Sequence, residues 1–198
     1  ARSFLLTVLL LNLSLVCAQC DQLVDWAVWD DFTDSTSTGT IATDGGPVSV
    51  TMSANYEFNS TSSIYGYSNF NGFNGPLPPN TTTPRTTWSA GENGETTMCF
   101  SEPVANPVLL FSSLGASNQP VTLEFSHMYA TVFAGNGMLY PDNQTIIGEE
   151  GYTILVFPGM HECVTIYSST PEYYTNITWG LNPPLFDVLI TGPGQDCA

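Results

Sequence analysis

Basic residues are almost absent from this sequence. It holds 18 carboxylates against two basic residues, Arg2 and Arg85, and it has no lysine. From Cys20 onward the formal balance is one positive charge against 18 negative ones. Such a chain repels nucleic acid and anionic lipid and attracts cations or basic partners. We therefore exclude nucleic acid as a partner and predict a polar surface that suits an extracellular setting.

The sequence also lacks the motifs of common enzymes. Its two histidines, His127 and His161, stand in no GxSxG or HExxH context, and we predict that both are ordinary residues at strand ends. No cysteine or histidine spacing indicates zinc. Adjacent acids such as Glu149 and Glu150 would point to opposite faces of a strand, which does not suit a glycosidase pair. We predict no enzymatic activity; a secreted glycoside hydrolase is the least favoured alternative.

Residues 1–19 have the composition of a secretory signal peptide. Arg2 precedes an apolar run over Ser3–Val16, and a small-residue cleavage pattern follows. A run of about 14 residues falls short of the roughly 20 needed to cross a bilayer, so we predict no stable membrane span. Residues 20–198 then form a single domain, and the linker-like tail from Gly192 suggests the first domain of a longer protein.

Four cysteines remain once such a leader is removed. They are Cys20, Cys99, Cys163 and Cys197. An even number of cysteines in an exported chain predicts two disulfides. Cys99 and Cys163 lie off the apolar faces of their strands, whereas Cys20 and Cys197 mark the ends of the mature chain. We favour pairing Cys20 with Cys197 and Cys99 with Cys163, although spacing alone leaves the other two pairings open.

Alternation of apolar and polar residues is the main structural signal. It is clearest over Val48–Met52 and Val121–Phe125, and a period of two with one polar face indicates antiparallel strands. Val108–Leu114 is apolar on both faces, which predicts a central strand. The many short strands and the lack of a long helical pattern predict an all-β antiparallel sandwich with a jelly-roll-like path.

One long segment breaks the strand pattern. Residues 55–87 are rich in Asn, Gly, Ser and Tyr, and they fit either a surface excursion or a binding loop with interleaved aromatics. The glycan-binding candidates in and beside this loop are Trp88, Tyr65, Tyr67 and Phe70. The tryptophans elsewhere, Trp26, Trp29 and Trp179, are predicted to lie in the core.

Asparagine sequons and acidic loops supply the remaining candidates. The sequons outside the leader, which are glycosylation candidates in a eukaryotic setting, are Asn59, Asn80, Asn143 and Asn176. Asp30, Asp31 and Asp34 form an oxygen-rich segment and are weak candidates for binding Ca²⁺. No EF-hand pattern is present, and no other cofactor is predicted.

Two stretches are similar to a known group of domains. Cys99–Ser126 reads CFSEPVANPVLLFSSLGASNQPVTLEFS, and Gly148–Leu181 reads GEEGYTILVFPGMHECVTIYSSTPEYYTNITWGL. They resemble a broad group of secreted bacterial surface domains that occur in exported, anchored proteins, and WDDFTDSTSTGTIATDGGPVSVTMS is weakly similar to that group's first hairpin. The resemblance implies a β-sandwich and no catalytic residues. The four cysteines depart from the group's pattern.

These observations together predict a secreted or cell-surface protein. We favour a structural or adhesive domain, with self-association into a surface fibre by addition of a β-strand as one mode of action. Its partners would be further copies of the chain, or other extracellular proteins and glycans. The alternative is a carbohydrate-binding module that uses the loop aromatics.

Overall fold

The computed structural model describes residues 24–55, 58–61, 64–73, 75–78, 83–86 and 94–181. Several sequence predictions lie outside these residues: the signal peptide, the pair Cys20–Cys197, Asn80 and Trp88. Within the described residues, 15 β-strands and one short 3-10 helix form, and no helix is long and apolar enough to cross a membrane.

The strands form two antiparallel sheets. Sheet A contains β1 (Asp25–Trp26), β5 (Phe58–Thr61), β6 (Thr83–Thr86), β8 (Pro107–Leu114), β10 (Ala130–Ala134), β13 (Gly151–Val156) and β15 (Thr175–Leu181). Sheet B contains β2 (Val28–Phe32), β3 (Thr36–Ile41), β4 (Val48–Ala54), β7 (Gly94–Ala105), β9 (Val121–Phe125), β11 (Met138–Leu139), β12 (Thr145–Gly148) and β14 (Met160–Ser168). The 3-10 helix covers Tyr67–Phe70.

Successive strands along the chain mostly alternate between the two sheets. Sheet A has the order β10-β13-β8-β15-β6-β5, with β1 also paired to β15, and sheet B has the order β11-β12-β9-β14-β7-β4-β3-β2. The chain changes sheet at every step from β7 to β11 and again from β12 to β15. Repeated crossing of this kind is typical of a jelly-roll path. The predicted all-β antiparallel sandwich is confirmed.

The main core lies between the two sheets. In β4 the apolar residues are buried while the intervening serines and threonine are exposed, as the alternation predicts. Every residue of β8 is buried, and β8 pairs with β13 and β15, which confirms it as a central strand. Trp29 and Trp179 belong to this core, and the indole N–H of Trp29 donates to Thr178 Oγ1 at 3.0 Å.

The outer face of sheet A is covered by part of the long loop. Ile64 and Phe70 pack there with Trp26 and Ile154 in a second buried cluster. The indole N–H of Trp26 donates to the carbonyl of Pro76 at 2.7 Å, which fixes the loop to the sheet. The loop is therefore an excursion that buries its own apolar side chains, because the outer face of sheet A is apolar as well.

One disulfide joins the two central strands of sheet B. Cys99 in β7 lies directly opposite Cys163 in β14, with their Cα atoms 4.1 Å apart, and a disulfide connects them. Both residues are half-buried, whereas their neighbours Met98 and Val164 are fully buried. The predicted pairing of Cys99 with Cys163 is confirmed, and so is its position off the apolar faces.

Candidate functional site

Three strand connections meet at one end of the sandwich. The register of sheet A pairs Leu114, at the end of β8, with Gly151, at the start of β13. It also pairs Ser112 with Asn176, near the start of β15. The β8–β9, β12–β13 and β14–β15 connections are therefore neighbours. Each is a short segment with polar residues, of the kind that lies at the surface and often carries functional side chains.

The long loop closes this end from the side. The backbone N–H of Tyr65 donates to Asn176 Oδ1 at 2.8 Å, and the hydroxyl of Ser112 donates to the carbonyl of Tyr65. Both polar partners lie within strands of sheet A and are buried. The backbone at Tyr65 is thus held to the sheet, so the position of its side chain follows from the rigid part of the fold.

A cavity of about 300 Å³ opens between these segments. We call it the tyrosine cleft, and its main lining residues are Tyr65, Tyr173, Tyr174, Gln119, Glu150 and Glu172. Aromatic rings next to a few polar groups are the usual lining of a pocket that takes a small polar ligand. The lining suits a molecule with both an apolar face and hydroxyl groups.

The tyrosines of the cleft differ in how firmly they are held. Tyr173 is 72% exposed and Tyr65 is 54% exposed. The ring of Tyr65 meets the ring of Tyr174 edge to face, with centroids 6.0 Å apart and planes at 82°. Such pairs are favourable beyond the area that they bury. The cleft therefore has one braced ring, Tyr65, and one ring, Tyr173, that is open to solvent.

Glu172 connects two of the loops around the cleft. Its Oε2 accepts a hydrogen bond of 2.5 Å from the backbone N–H of Gly115, and its Oε1 accepts one of 2.9 Å from that of Tyr174. Burial of this side chain raises its pKa to about 7, although the backbone donors oppose the shift. Glu172 is a buried carboxylate whose oxygens are both in use, so its first role is structural.

Glu150 is the second carboxylate of the cleft. It accepts a hydrogen bond of 2.5 Å from the hydroxyl of Ser113. Both residues have left-handed backbone conformations, with φ of 61° at Glu150 and 62° at Ser113. This region is uncommon for residues other than glycine, and strained residues concentrate at functional sites. The hydrogen bond fixes a carboxylate at the mouth of the cleft.

Of the predicted glycan-binding residues that the structure describes, one lies at the cleft. That residue is Tyr65. Tyr67 is 40% exposed but lies on the 3-10 helix outside the lining. The prediction that Phe70 binds glycans is wrong. Its side chain is only 2% exposed and packs against Phe133 and Tyr152, so its faces are not available to a sugar ring. Trp88 lies outside the described residues.

The predicted glycosylation sites differ in how exposed their asparagine side chains are. Asn59 and Asn143 are exposed and stay candidates. The prediction of a glycosylation site at Asn176 is corrected. This residue is 1% exposed within β15, and its Oδ1 accepts the hydrogen bond from the backbone N–H of Tyr65. A glycan on its amide nitrogen would need space that the packed sheet does not provide.

The predicted calcium ligands do not come together. Asp30, Asp31 and Asp34 are exposed, and Asp31 Oδ1 accepts a hydrogen bond from the adjacent N–H of Phe32. Among the described residues, no three His, Cys, Asp or Glu side chains gather as ligands for an ion. The calcium candidates are corrected accordingly: Asp30 and Asp31 lie in β2, Asp34 lies in the turn after it, and the three carboxylates do not form a ligand set.

Sequence reasoning missed most of the cleft. Tyr173, Glu172 and Gln119 come from short connections between strands, and Tyr174 directly precedes β15, which begins at Thr175. A usable signal is present: Pro-Glu-Tyr-Tyr follows a run of Ser and Thr, where a turn is expected. Two adjacent tyrosines after a turn are candidates for exposed aromatic residues.

No family model, curated protein or solved structure matches this chain. The resemblance to secreted bacterial surface domains therefore stays a prediction.

Proposed function

We propose that this chain is an extracellular adhesive domain that binds carbohydrate in the tyrosine cleft. The observation that carries the proposal is the lining of this cavity, in which aromatic rings stand beside carboxylate and amide groups. A sugar ring has an apolar C–H face, which an aromatic ring covers, and hydroxyl groups, which carboxylates and amides bind. A volume of about 300 Å³ is at the small end of ligand pockets and suits the terminal sugar of a glycan.

Charge narrows the class of glycan. The formal net charge of the chain is −16, and the cleft is lined by two carboxylates, Glu150 and Glu172, and by no lysine, arginine or histidine among the described residues. A negative field disfavours sulfated, sialylated or uronic-acid sugars. We therefore expect neutral or amino sugars to bind in preference to acidic ones.

Binding is a better use of the cleft than hydrolysis. A glycosidase needs a carboxyl group that gives its proton to the leaving oxygen. Both oxygens of Glu172 instead accept backbone hydrogen bonds from Gly115 and Tyr174. Release of these bonds during each catalytic cycle would separate the loops that form the cleft. This arrangement supports a binding site without catalysis.

The disulfide supports a place outside the cell. Disulfides persist mainly in oxidising compartments, and the bond between Cys99 and Cys163 bridges two central strands. The predicted signal peptide agrees with this assignment. We therefore propose that the domain is secreted or lies at the cell surface.

Fibre formation by strand addition has less support than glycan binding. Sheet B ends at β11, which has two residues, and at β2, which carries Asp30 and Asp31. Sheet A ends at the bulged strand β10 and at the four-residue strand β5. Short, bulged and acidic edges are features that reduce pairing with another chain. Contact through the cleft therefore explains adhesion more directly.

A glycan array with the purified full chain tests the proposal. Replacing Tyr173 or Tyr65 by alanine should weaken binding of the best ligand by about tenfold or more, because each ring supplies a large contact area. Tyr167→Ala is the matched control, since this tyrosine is 45% exposed on β14 and does not line the cleft. Equal binding by all three variants would contradict the proposal.

A further inference from the structure

The tyrosine cleft carries negative charge that its lining does not balance. Glu150 and Glu172 both line the cavity, and none of the described residues that line it with them is basic. The pKa of Glu172 is raised chiefly by burial, and the negative charge of Glu150 adds to the rise. The two acids are therefore close enough to repel each other, and a cation bound beside them would relieve that repulsion.

Glu150 is the carboxylate of the cleft that can reach a ligand. Its side chain is exposed, whereas Glu172 is 4% exposed and has both oxygens bound to backbone N–H groups. The hydroxyl of Ser113 donates to Glu150 Oε1 at 2.5 Å, and this bond uses one of about four lone-pair positions on the carboxylate. Glu150 is thus held at the mouth of the cleft with acceptor positions left for a charged donor.

Tyrosine rings supply the second element of a site for an organic cation. Tyr65 and Tyr173 line the same cavity as Glu150. Burial raises the pKa of Tyr152, and the proximity of Glu150 and Tyr65 adds to the rise, so this carboxylate and this ring surround one common neighbour. The face of an aromatic ring attracts ammonium groups. A neutral sugar would contact the rings but would leave the charge of Glu150 uncompensated.

These observations narrow the ligand of the proposed glycan site. We infer that the tyrosine cleft selects sugars that carry a free amino group, with Glu150 binding the ammonium and the rings of Tyr65 and Tyr173 covering the apolar face of the sugar. The inference rests on the proposed function, and it limits the preferred ligands to cationic sugars. The formal net charge of −16 also favours the approach of such ligands.

A glycan array with matched pairs of sugars tests this preference on the full chain. The two members of a pair have the same linkage and length and differ only at C2, where a hexose has a hydroxyl group and its 2-amino-2-deoxy counterpart has a free amine. Pairs of gluco and of galacto configuration are both included. We expect the amine member of the best-bound pair to bind about tenfold more tightly, because hydrogen bonds between charged groups are stronger than those with one neutral partner.

Glu150→Gln is the decisive variant, since glutamine keeps an oxygen acceptor for Ser113 but has no charge. It should bring the two members of the pair to within about twofold of each other, because only the general attraction of the chain for cations remains. Glu149→Gln is the matched control: this acid is the adjacent residue, is exposed and does not line the cleft. It should keep the wild-type preference. Equal losses in both variants would assign the preference to the general negative field and overturn the inference.

The outcomes distinguish this inference from the proposed function. If sugars bind through Tyr65 and Tyr173 but the amine and hydroxyl members bind equally, the glycan site stands and the inference is wrong. If no sugar binds at millimolar concentration, both are wrong. An oligolysine peptide is the last probe. If it binds more tightly than the amino sugars and Glu150→Gln weakens that binding, the cation is a protein side chain and the assignment to a sugar is wrong.

Discussion

The carboxylate of Glu172 accepts a hydrogen bond from the backbone N–H of Gly115, which lies 57 residues earlier in the chain. This bond fastens the β14–β15 connection to the β8–β9 connection, and the tyrosine cleft lies between them. The same buried carboxylate makes the fold sensitive to pH. Stability and the shape of the cleft therefore depend on one side chain.

Stability should rise as the pH falls from about 8 to about 5. The pKa of Glu172 in the folded chain is about 7, above its ordinary value of 4.5, so the folded state binds this proton more tightly than the unfolded state does. The contribution is complete below pH 4.5 and is lost as the pH rises through 7. It amounts to at most about 3 kcal/mol of unfolding free energy. Urea denaturation at a series of pH values measures it.

A variant separates Glu172 from the other carboxylates. Relief of general repulsion also stabilises an acidic chain at lower pH, so the wild type alone does not identify the group. Glu172→Gln should flatten the pH dependence between 5 and 8, whereas Glu124→Gln, an exposed acid, should keep it. An unchanged slope in Glu172→Gln would show that this carboxylate does not titrate in that range.

Loss of the disulfide should destabilise the chain strongly. The bond between Cys99 and Cys163 spans a sequence separation of 64 residues, and closing a loop of this length removes conformational entropy worth about 4 kcal/mol from the unfolded chain. We expect the double variant Cys99→Ala, Cys163→Ala to lose unfolding free energy of that order in urea titrations. The variant isolates this bond, whereas a reducing agent would also break the predicted bond between Cys20 and Cys197. A difference in unfolding free energy of less than about 1 kcal/mol between the wild type and the double variant would contradict the estimate.

Sequence reasoning reached the sheets but not the cleft. The alternation in β4 and the doubly apolar β8 could be read directly, because a strand's pattern depends on which face is buried. Cys99 and Cys163 lie off the buried faces of β7 and β14, as the alternation in their strands predicts. The prediction that Phe70 binds glycans was wrong. The sequence of a loop does not show that its apolar side chains will pack on the apolar outer face of sheet A. The contact between His127 and His161 depends on the register of β9 against β14, which no local pattern reports.

A methyl group at Gly115 should disrupt the end of the sandwich that carries the cleft. Gly115 has φ of +70°, and a Cβ there would meet the backbone of Gly148 at less than 3.0 Å. Gly115→Ala therefore adds a clash with rigid backbone to the cost of a left-handed conformation, and we expect a loss of about 3 kcal/mol or more. Thermal and urea unfolding measure it.

Gly46→Ala provides the comparison for that variant. Gly46 also has a positive φ, of +115°, but a Cβ there has nothing within 4 Å. The Gly46→Ala variant should lose only the unfolding free energy that alanine costs at a positive φ, about 1 kcal/mol. If both variants lose the same free energy, the close approach of Gly115 to Gly148 does not contribute to stability.

Truncation of Phe70 should show that the long loop is part of the folded structure. Its ring is buried against Phe133 and Tyr152 on the outer face of sheet A. Phe70→Ala leaves a cavity there and should lower the unfolding free energy by about 3–4 kcal/mol, since partial collapse does not recover the lost contacts. Tyr67→Ala, three residues earlier on the same 3-10 helix and 40% exposed, should change it by less than about 0.5 kcal/mol. A loop that did not pack on the sheet would give equally small losses at both positions, and it would leave the backbone of Tyr65 without the support that the cleft requires.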